Sequence, residues 1–334
     1  MTLVFPDPDS VRRVLTLATQ APSMHNSQPW RWLVAADSLA LFADPSRHLP
    51  HADPDRRDLL VSCGASLHHC TVALAALGWQ SKVHRIPDPS NRHHLATITV
   101  SPQPAGELDV ALAGAITRRR TDRRTYSSWP VPWGYIALMG ARAARAGVML
   151  RQIEPLPRLN TLLAEAASTH SQDPDYVREL SAWSGRRGSV AGVPSSNAPG
   201  PLPGAPVAAR TFARPELAQP DASPPGDDNG VVVALGTQFD DDLARLRAGE
   251  AASLVLLSAT ALGLATCPVT EPLEIPATRE TLRADVFGTS GYPQILMRFG
   301  WAPADAALLP ATPRRPLMDV TDWATGPRGL KHCG

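Results

Sequence analysis

Three features of this 334-residue chain predict an α+β fold with mixed sheets. Several long segments carry apolar residues at helical spacing, and short runs of alternating or β-branched residues stand between them. One helical segment occurs twice: Gly64-Ala-Ser-Leu-His-His-Cys-Thr-Val-Ala-Leu-Ala-Ala-Leu-Gly78 lies over Gly249-Glu-Ala-Ala-Ser-Leu-Val-Leu-Leu-Ser-Ala-Thr-Ala-Leu-Gly263. The third feature is a stretch dense in proline and glycine, residues 184–230, which can be neither helix nor central strand. With 43% hydrophobic residues the chain can fill a sizeable core.

Taken in order, residues 10–18 form an amphipathic helix with Ser10 as its N-cap and Pro22 beyond its end. Residues 32–35 and 39–42 are strands. The first copy of the repeated helix ends in Ala-Leu-Gly, with glycine free to take the left-handed position after a helix, and leads into a strand at 81–86. A strand at 95–100 and a helix at 108–118 follow. The second half offers strands at 148–153, 231–235, 264–267 and 294–299, and helices at 156–168 and 248–262. The repeat predicts a duplication, with residues 1–110 as one unit and 111–330 as the other. Within the Pro/Gly stretch, Val190, Val193, Val207 and Phe212 are apolar anchors that a flexible linker does not need, so a lid or insertion stands beside the linker reading.

Composition narrows the function classes. With 32 basic against 31 acidic residues, no overall field favours nucleic acid or an anionic membrane. Residues 1–9 lack the charged and apolar regions of a signal peptide, and the longest apolar run, residues 251–269, is broken by Ser253, Ser258, Thr260 and Thr266, which suits a buried helix. A cytoplasmic location is the expectation. The four cysteines include no Cys-x-x-Cys pair; Cys63 and Cys70, seven apart on one helical face, are expected as small buried hydrophobes. His68-His69 and His93-His94 point to opposite sides of their elements, so no metal is expected. No Gly-x-Gly-x-x-Gly and no Gly-x-x-x-x-Gly-Lys occurs.

The turn Ala21-Pro22-Ser23-Met24-His25-Asn26-Ser27-Gln28-Pro29-Trp30 joins the first helix to the first strand. Ser23, Asn26 and Gln28 each both donate and accept hydrogen bonds, which suits a heterocycle of alternating donors and acceptors better than a metal or a phosphate. The alternative is a self-satisfied turn that caps the helix. A second motif, residues 116–126, carries Arg118, Arg119, Arg120, Arg123 and Arg124 within seven residues. Guanidinium forks bind phosphate oxygens in pairs, and Thr121 adds a hydroxyl; otherwise the run is a solvated face.

Ala-Pro-Ser-x-x-Asn-x-Gln-Pro-Trp resembles the N-terminal motif of the nitroreductase family of FMN flavoproteins, and His25 makes it most similar to the mycobacterial Acg subgroup. The resemblance implies that Pro22, Ser23, Met24, Asn26 and Gln28 touch the flavin. It also implies that Arg119, Arg120, Thr121 and Arg123, similar to the family's Arg-x-Ser-x-Arg element, grip the FMN phosphate. Residues 262–271 resemble the segment that packs on the flavin ring, which assigns Pro268, Val269, Thr270 and Glu271 to it. The final strand and basic tail, residues 291–316, add Arg314 or Arg315 to the phosphate. In the family one subunit supplies the first motif and its partner the others. A single chain holding both implies tandem nitroreductase-like repeats that form an internal pseudo-dimer with one FMN, and leaves further oligomerisation open. Two functions follow: an NAD(P)H-dependent oxidoreductase acting on a nitroaromatic or quinone acceptor, with the chemistry on flavin N5 and no catalytic side chain required, or a protein that sequesters FMN beneath a lid. A relative that dismantles FMN is a weaker third.

Overall fold

Residues 5–324 are described by a computed structural model, apart from 155, 209 and 221–226. The first residues of the chain, Cys333 and the last residues of the second predicted unit therefore lie outside the described residues. Helix α1 (Pro8–Ala18) buries Val11, Val14, Leu15 and Ala18. Its N-cap is Asp7, not Ser10: the Asp7 carboxylate accepts from the backbone N–H groups of Asp9 and Ser10, both at 3.0 Å, and Pro8 takes the first helical position. A carboxylate satisfies two orphan amides and complements the helix dipole, whereas a hydroxyl three residues later lies inside the first turn.

After a single 3-10 turn at Met24–Asn26 come β1 (Trp30–Val34) and β2 (Leu39–Ala43). Helix α2 (Arg57–Ala76) starts ahead of Gly64, where the Asp53 carboxylate accepts from the amides of Asp58 and Leu59 at 2.9 and 2.8 Å. Strands β3 (Trp79–Arg85) and β4 (His94–Pro102) follow. Helix α3 (Glu107–Arg118) contains residue 110, the expected boundary between the two units. Helix α4 (Trp133–Arg145), which the sequence reading missed, buries Ile136, Met139 and Ala143. Then come β5 (Met149–Gln152), α5 (Leu156–Ser171), α6 (Pro174–Ala182), and the two-stranded parallel ladder of β6 (Ser184–Arg186) and β7 (Val193–Pro194). The chain closes through β8 (Val231–Thr237), α7 (Asp242–Ala261), β9 (Ala265–Val269), α8 (Glu271–Glu274), α9 (Pro276–Val286), β10 (Tyr292–Gly300) and β11 (Thr321–Trp323).

One sheet has the order β11-β1-β2-β4-β3 and the other β5-β8-β10-β9. Setting β11 aside, the two follow the same plan. All neighbouring strands are antiparallel, and a 20-residue helix, α2 or α7, leads from the second strand to the edge strand. β11 pairs parallel with β1, so the C-terminal segment crosses from the second sheet to close the first.

α2 and α7 pack against each other at the centre. Gly64 and Gly249 occupy the same position in each helix and meet there: a Cβ on Gly64 would stand 2.1 Å from the Leu246 carbonyl oxygen and 2.9 Å from the Gly249 Cα. Both helices are buried around most of their circumference, which explains why neither shows a sharp amphipathic stripe. By length and composition α2 is apolar enough to cross a membrane, yet 78% of the relevant window is buried within the fold. Cys63 and Cys70 are buried in α2.

The Pro/Gly stretch packs against the body. Val193, Val207 and Phe212 are buried, but Val190 is 46% exposed, contrary to its expected role as an anchor. Its carbonyl docks instead, accepting from Gln28 Nε2 at 2.8 Å.

Candidate functional site

Between α2 and α7, and closed at one side by β9, lies a cavity of about 930 Å³, part of it open to solvent. Pro22, Ser23, Met24 and His25 line it from the turn after α1; Asp58, Val61, Ser62 and Ala65 come from α2, and Ala252 and Leu256 from α7. Thr121 and Arg123 face it from the arginine run, and Cys267, Pro268, Val269, Thr270 and Glu271 from β9 and the start of α8. Leu163 of α5, Ile295 of β10, and Ala208, Arg210 and Phe212 of the Pro/Gly stretch complete the wall. The cavity therefore gathers three motifs that stand far apart in the chain.

The turn is backbone-strained. His25, Asn26 and Gln28 all have positive φ, at 47°, 55° and 53°, a region that side-chain-bearing residues rarely enter. Buried hydrogen bonds hold them there. Asn26 Nδ2 donates to the carbonyls of Gly192 and Pro313, both at 3.1 Å, and its Oδ1 accepts from Arg314 at 3.1 Å. Gln28 Oε1 accepts from the Arg315 amide at 2.8 Å. These two amides thus tie down the Pro/Gly stretch and the C-terminal tail, and neither lines the cavity. The expectation that they present free donors and acceptors inverts here, because a buried amide must be paired and the crossing backbone pairs it first. Ser23 both lines the cavity and accepts from the Gln28 amide at 3.0 Å.

The five arginines separate by environment. Arg118 is exposed, and Arg124 is paired with Asp122 through two 2.9 Å hydrogen bonds. Arg119, Arg120 and Arg123 have no carboxylate partner among the described residues. The run is pinned to β9, since the Asp122 amide donates to the Thr266 carbonyl at 2.8 Å and Thr266 Oγ1 donates to the Arg120 carbonyl at 3.2 Å. Arg119 is buried and donates to Thr121 Oγ1 at 3.5 Å, and Nε of both Arg119 and Arg120 is buried with no hydrogen-bond partner among the described residues. Burial, with Arg120 and Arg123 close by, pushes the Arg119 guanidinium down to about 10. Arg314 comes to the same place from the tail, donating to the carbonyls of Thr19, Gln20 and Ala21; burial, then Arg119 and Arg120, lower it to about 9. Arg315 instead reaches Asp44 at 3.3 Å. Arg123 donates to the Asn197 carbonyl at 3.1 Å and lies over the Phe212 ring, 4.8 Å from its centre.

The sequence reading missed the polar wall of the cavity. Arg210 donates to His25 Nε2 at 2.8 Å, to the Tyr176 hydroxyl at 3.0 Å and to Glu274 at 2.5 Å. Burial, with the charges of Arg210, Arg123 and His170, holds the His25 ring well below the usual imidazole range, so it is neutral with Nε2 as acceptor. Nothing in the order of residues marks Arg210 or Glu274 as neighbours; they meet only because the Pro/Gly stretch folds back over α8.

No family model matches the chain. It is 60% identical over 323 residues to a Mycobacterium tuberculosis protein named "Putative NAD(P)H nitroreductase", covering 97% of this chain and 94% of that one. It is 37% identical to a second from the same organism, named "Putative NAD(P)H nitroreductase acg", covering 93% and 95%. Among solved structures it is similar to the FMN-dependent nitroreductase NfnB of Mycobacterium smegmatis, solved in complex with NADPH, at 17% identity and a TM-score of 0.40, over 65% of this chain and 100% of that one. With mycobacterial relatives matched along nearly its whole length, the chain belongs to the nitroreductase family.

Proposed function

We propose that this protein binds FMN in the cavity between α2 and α7 and acts as an NAD(P)H-dependent oxidoreductase of the nitroreductase type. The observation that carries the reading is a cluster of guanidinium ions, the buried Arg119 and the half-buried Arg120 and Arg314, with no carboxylate partner among the described residues. Buried charge without a counter-ion is costly, and a phosphate monoester supplies the missing negative charge together with acceptors for the unpartnered Nε groups. The cavity fits the rest of the cofactor. Pro22, Ser23 and Met24 approach from one half of the chain, and Thr121, Arg123 and residues 268–271 from the other.

When bound, FMN supplies the two-electron chemistry, and the protein supplies position and electrostatics. Arg119, Arg120 and Arg314, which stand beside the cavity without lining it, hold the phosphate; Thr121 and Arg123 face the cavity itself. Asn26, Gln28 and Arg315 act one step away, by fixing the segments that close the site. The equivalent strand order of the two sheets and the meeting of Gly64 with Gly249 support the reading of two nitroreductase-like repeats, about 1–110 and 111–330, that form an internal pseudo-dimer with a composite site. Ala208, Arg210 and Phe212 act as the lid within the 184–230 insertion. That wall also favours a second reading, in which the protein holds FMN with little turnover because nicotinamide cannot reach it.

The test is the absorbance spectrum and NAD(P)H oxidation of the purified chain. The expected result is about one equivalent of non-covalent FMN, and oxidation of NADPH or NADH that a quinone or nitroarene accelerates. Absence of flavin bands after reconstitution with FMN overturns both readings; bound FMN that neither nicotinamide reduces leaves the second.

A further inference from the structure

A second cavity, of about 1000 Å³ and largely open, lies behind the wall of the first. The two share Leu163, Ala208, Arg210, Phe212 and Glu271, so Glu271 borders both. His170 of α5 lines the second cavity and stands between two carboxylates, with Nδ1 at 3.6 Å from Glu271 Oε1 and Nε2 at 3.7 Å from Glu274 Oε2. Its ring is stacked on Tyr176, 3.8 Å between centres and 7° from parallel. Among the described residues, neither His170 Nδ1 nor Glu274 Oε2 has a hydrogen-bond partner. A packed structural histidine would spend both nitrogens on hydrogen bonds. This one is held by its ring face, and its nitrogens are left facing carboxylates.

We propose that Glu271 is the group that hands a proton to the electron acceptor, and that His170 is a positioning residue that passes that proton to Glu271 and draws it from the second cavity. The proposal rests on the reading of the first cavity as an FMN site and names the proton path of its reaction. A quinone that receives a hydride at one oxygen gains two electrons and one proton; its other oxygen becomes an oxyanion, and the hydroquinone is complete only when one more proton arrives. The protonated His170 ring first gives its proton to the Glu271 carboxylate; the O–H bond of the carboxyl so formed breaks as the new O–H bond forms on the acceptor, and His170 regains a proton from water in the second cavity. Nitro-to-nitroso reduction has the same balance, with one proton needed beyond the hydride and water as the leaving group.

The surroundings suit a relay. Glu271, Glu274, Arg210, Tyr176, Asp173 and His25 are the ionisable groups that act on or around His170. Arg210 is held by Glu274 and stands 3.9 Å from Glu271, so it fixes both carboxylates while itself staying charged. Burial raises the Glu271 carboxyl, but Arg210 and His170 outweigh it and leave the group ionised at rest, ready to accept.

The experiment uses holoprotein reduced with dithionite and mixed anaerobically with p-benzoquinone, following the return of the flavin band in H2O and D2O across the neutral range. His170→Phe keeps the stack on Tyr176 and removes the proton carrier; Glu271→Gln removes the donor. Both should slow reoxidation by about 10²-fold, the low end of general acid–base effects, and erase the pH dependence and the solvent isotope effect of the wild type. In the flavin-free protein, the ring resonances of His170, read by NMR at a single pH, should move in Glu271→Gln, because the carboxylate charge 3.6 Å from Nδ1 is lost. Unchanged reoxidation and isotope effect in His170→Phe, or unmoved His170 ring resonances in Glu271→Gln, overturns the proposal alone. A chain that holds no flavin overturns the reading beneath it, and the spectrum shows this before any mixing.

Discussion

Gly64→Ala at the crossing of α2 and α7 should unfold the protein more easily, although helix propensity alone predicts the reverse. In an exposed helix interior this change stabilises by about 1 kcal/mol. Here the new Cβ would stand 2.1 Å from the Leu246 carbonyl oxygen, 2.9 Å from the Gly249 Cα and 3.0 Å from the Glu250 amide nitrogen. All three are backbone atoms of α7, so no side-chain rotation relieves the clash and the two helices must separate. Overpacking of this kind costs about 1–3 kcal/mol and more where backbone must move. With about 3 kcal/mol lost to the clash and about 1 gained from propensity, the net destabilisation is about 2 kcal/mol. Val61, Ser62 and Ala65 of α2 and Ala252 and Leu256 of α7 line the cavity, so the separation should also weaken FMN. Urea denaturation read by circular dichroism gives the stability, and flavin fluorescence titration the affinity. In the double variant with Gly249→Ala the losses should not add, since each new Cβ meets the other glycine's Cα. A Gly64→Ala protein more stable than the wild type, with unchanged FMN affinity, would refute the close helix contact and the site built on it.

Arg119→Gln with Arg120→Gln removes the two unpartnered buried Nε groups. At about 1.5–3 kcal/mol for each charge-assisted bond, FMN should lose about 10²- to 10⁴-fold in affinity while riboflavin changes little; equal losses in parallel fluorescence titrations would place the phosphate elsewhere. Residues 1–110 and 111–324, expressed separately, should each fail to hold flavin by absorbance, because each supplies only part of the cavity wall; retention of full affinity by either would contradict the composite site. Phe212→Ala takes away a ring that packs edge-on against His25, 5.8 Å between centres, and beneath Arg123. If that wall screens the flavin, stopped-flow reduction by NADPH should quicken in the variant, and identical rates would mean that the pocket is already open.

Most of the secondary structure is legible in the chain because it follows local rules. Strands 231–235 and 294–299 became β8 and β10, and the helices at 108–118 and 156–168 became α3 and α5, since their apolar periodicity is strong. Helix α4 escaped notice for a physical reason. Its buried face is only Ile136, Met139 and Ala143, and it opens on an exposed Trp133 followed by Gly134, which blurs the apolar stripe. The N-cap of α1 was misplaced because Asp7 and Ser10 both suit the role, and only the backbone geometry chooses between them.

What the sequence by itself determined is the set of parts: the two matching helices, the turn after α1, the arginine run with its threonine, and the 268–271 segment, each a short stretch whose chemistry depends on its own residues. Their partnership is a tertiary matter. Of five neighbouring arginines, the fold paired one with Asp122, left one in solvent and buried Arg119 with no counter-ion among the described residues, then brought Arg314 beside it from the far end of the chain. It also turned Asn26 and Gln28 away from the cavity, since backbone from residues 190–192 and 313–315 reaches their amides first. Hydrogen-bonding capacity is a property of a residue type. Which partner uses it depends on what the rest of the chain brings within about 3 Å, and local sequence carries no record of that distance.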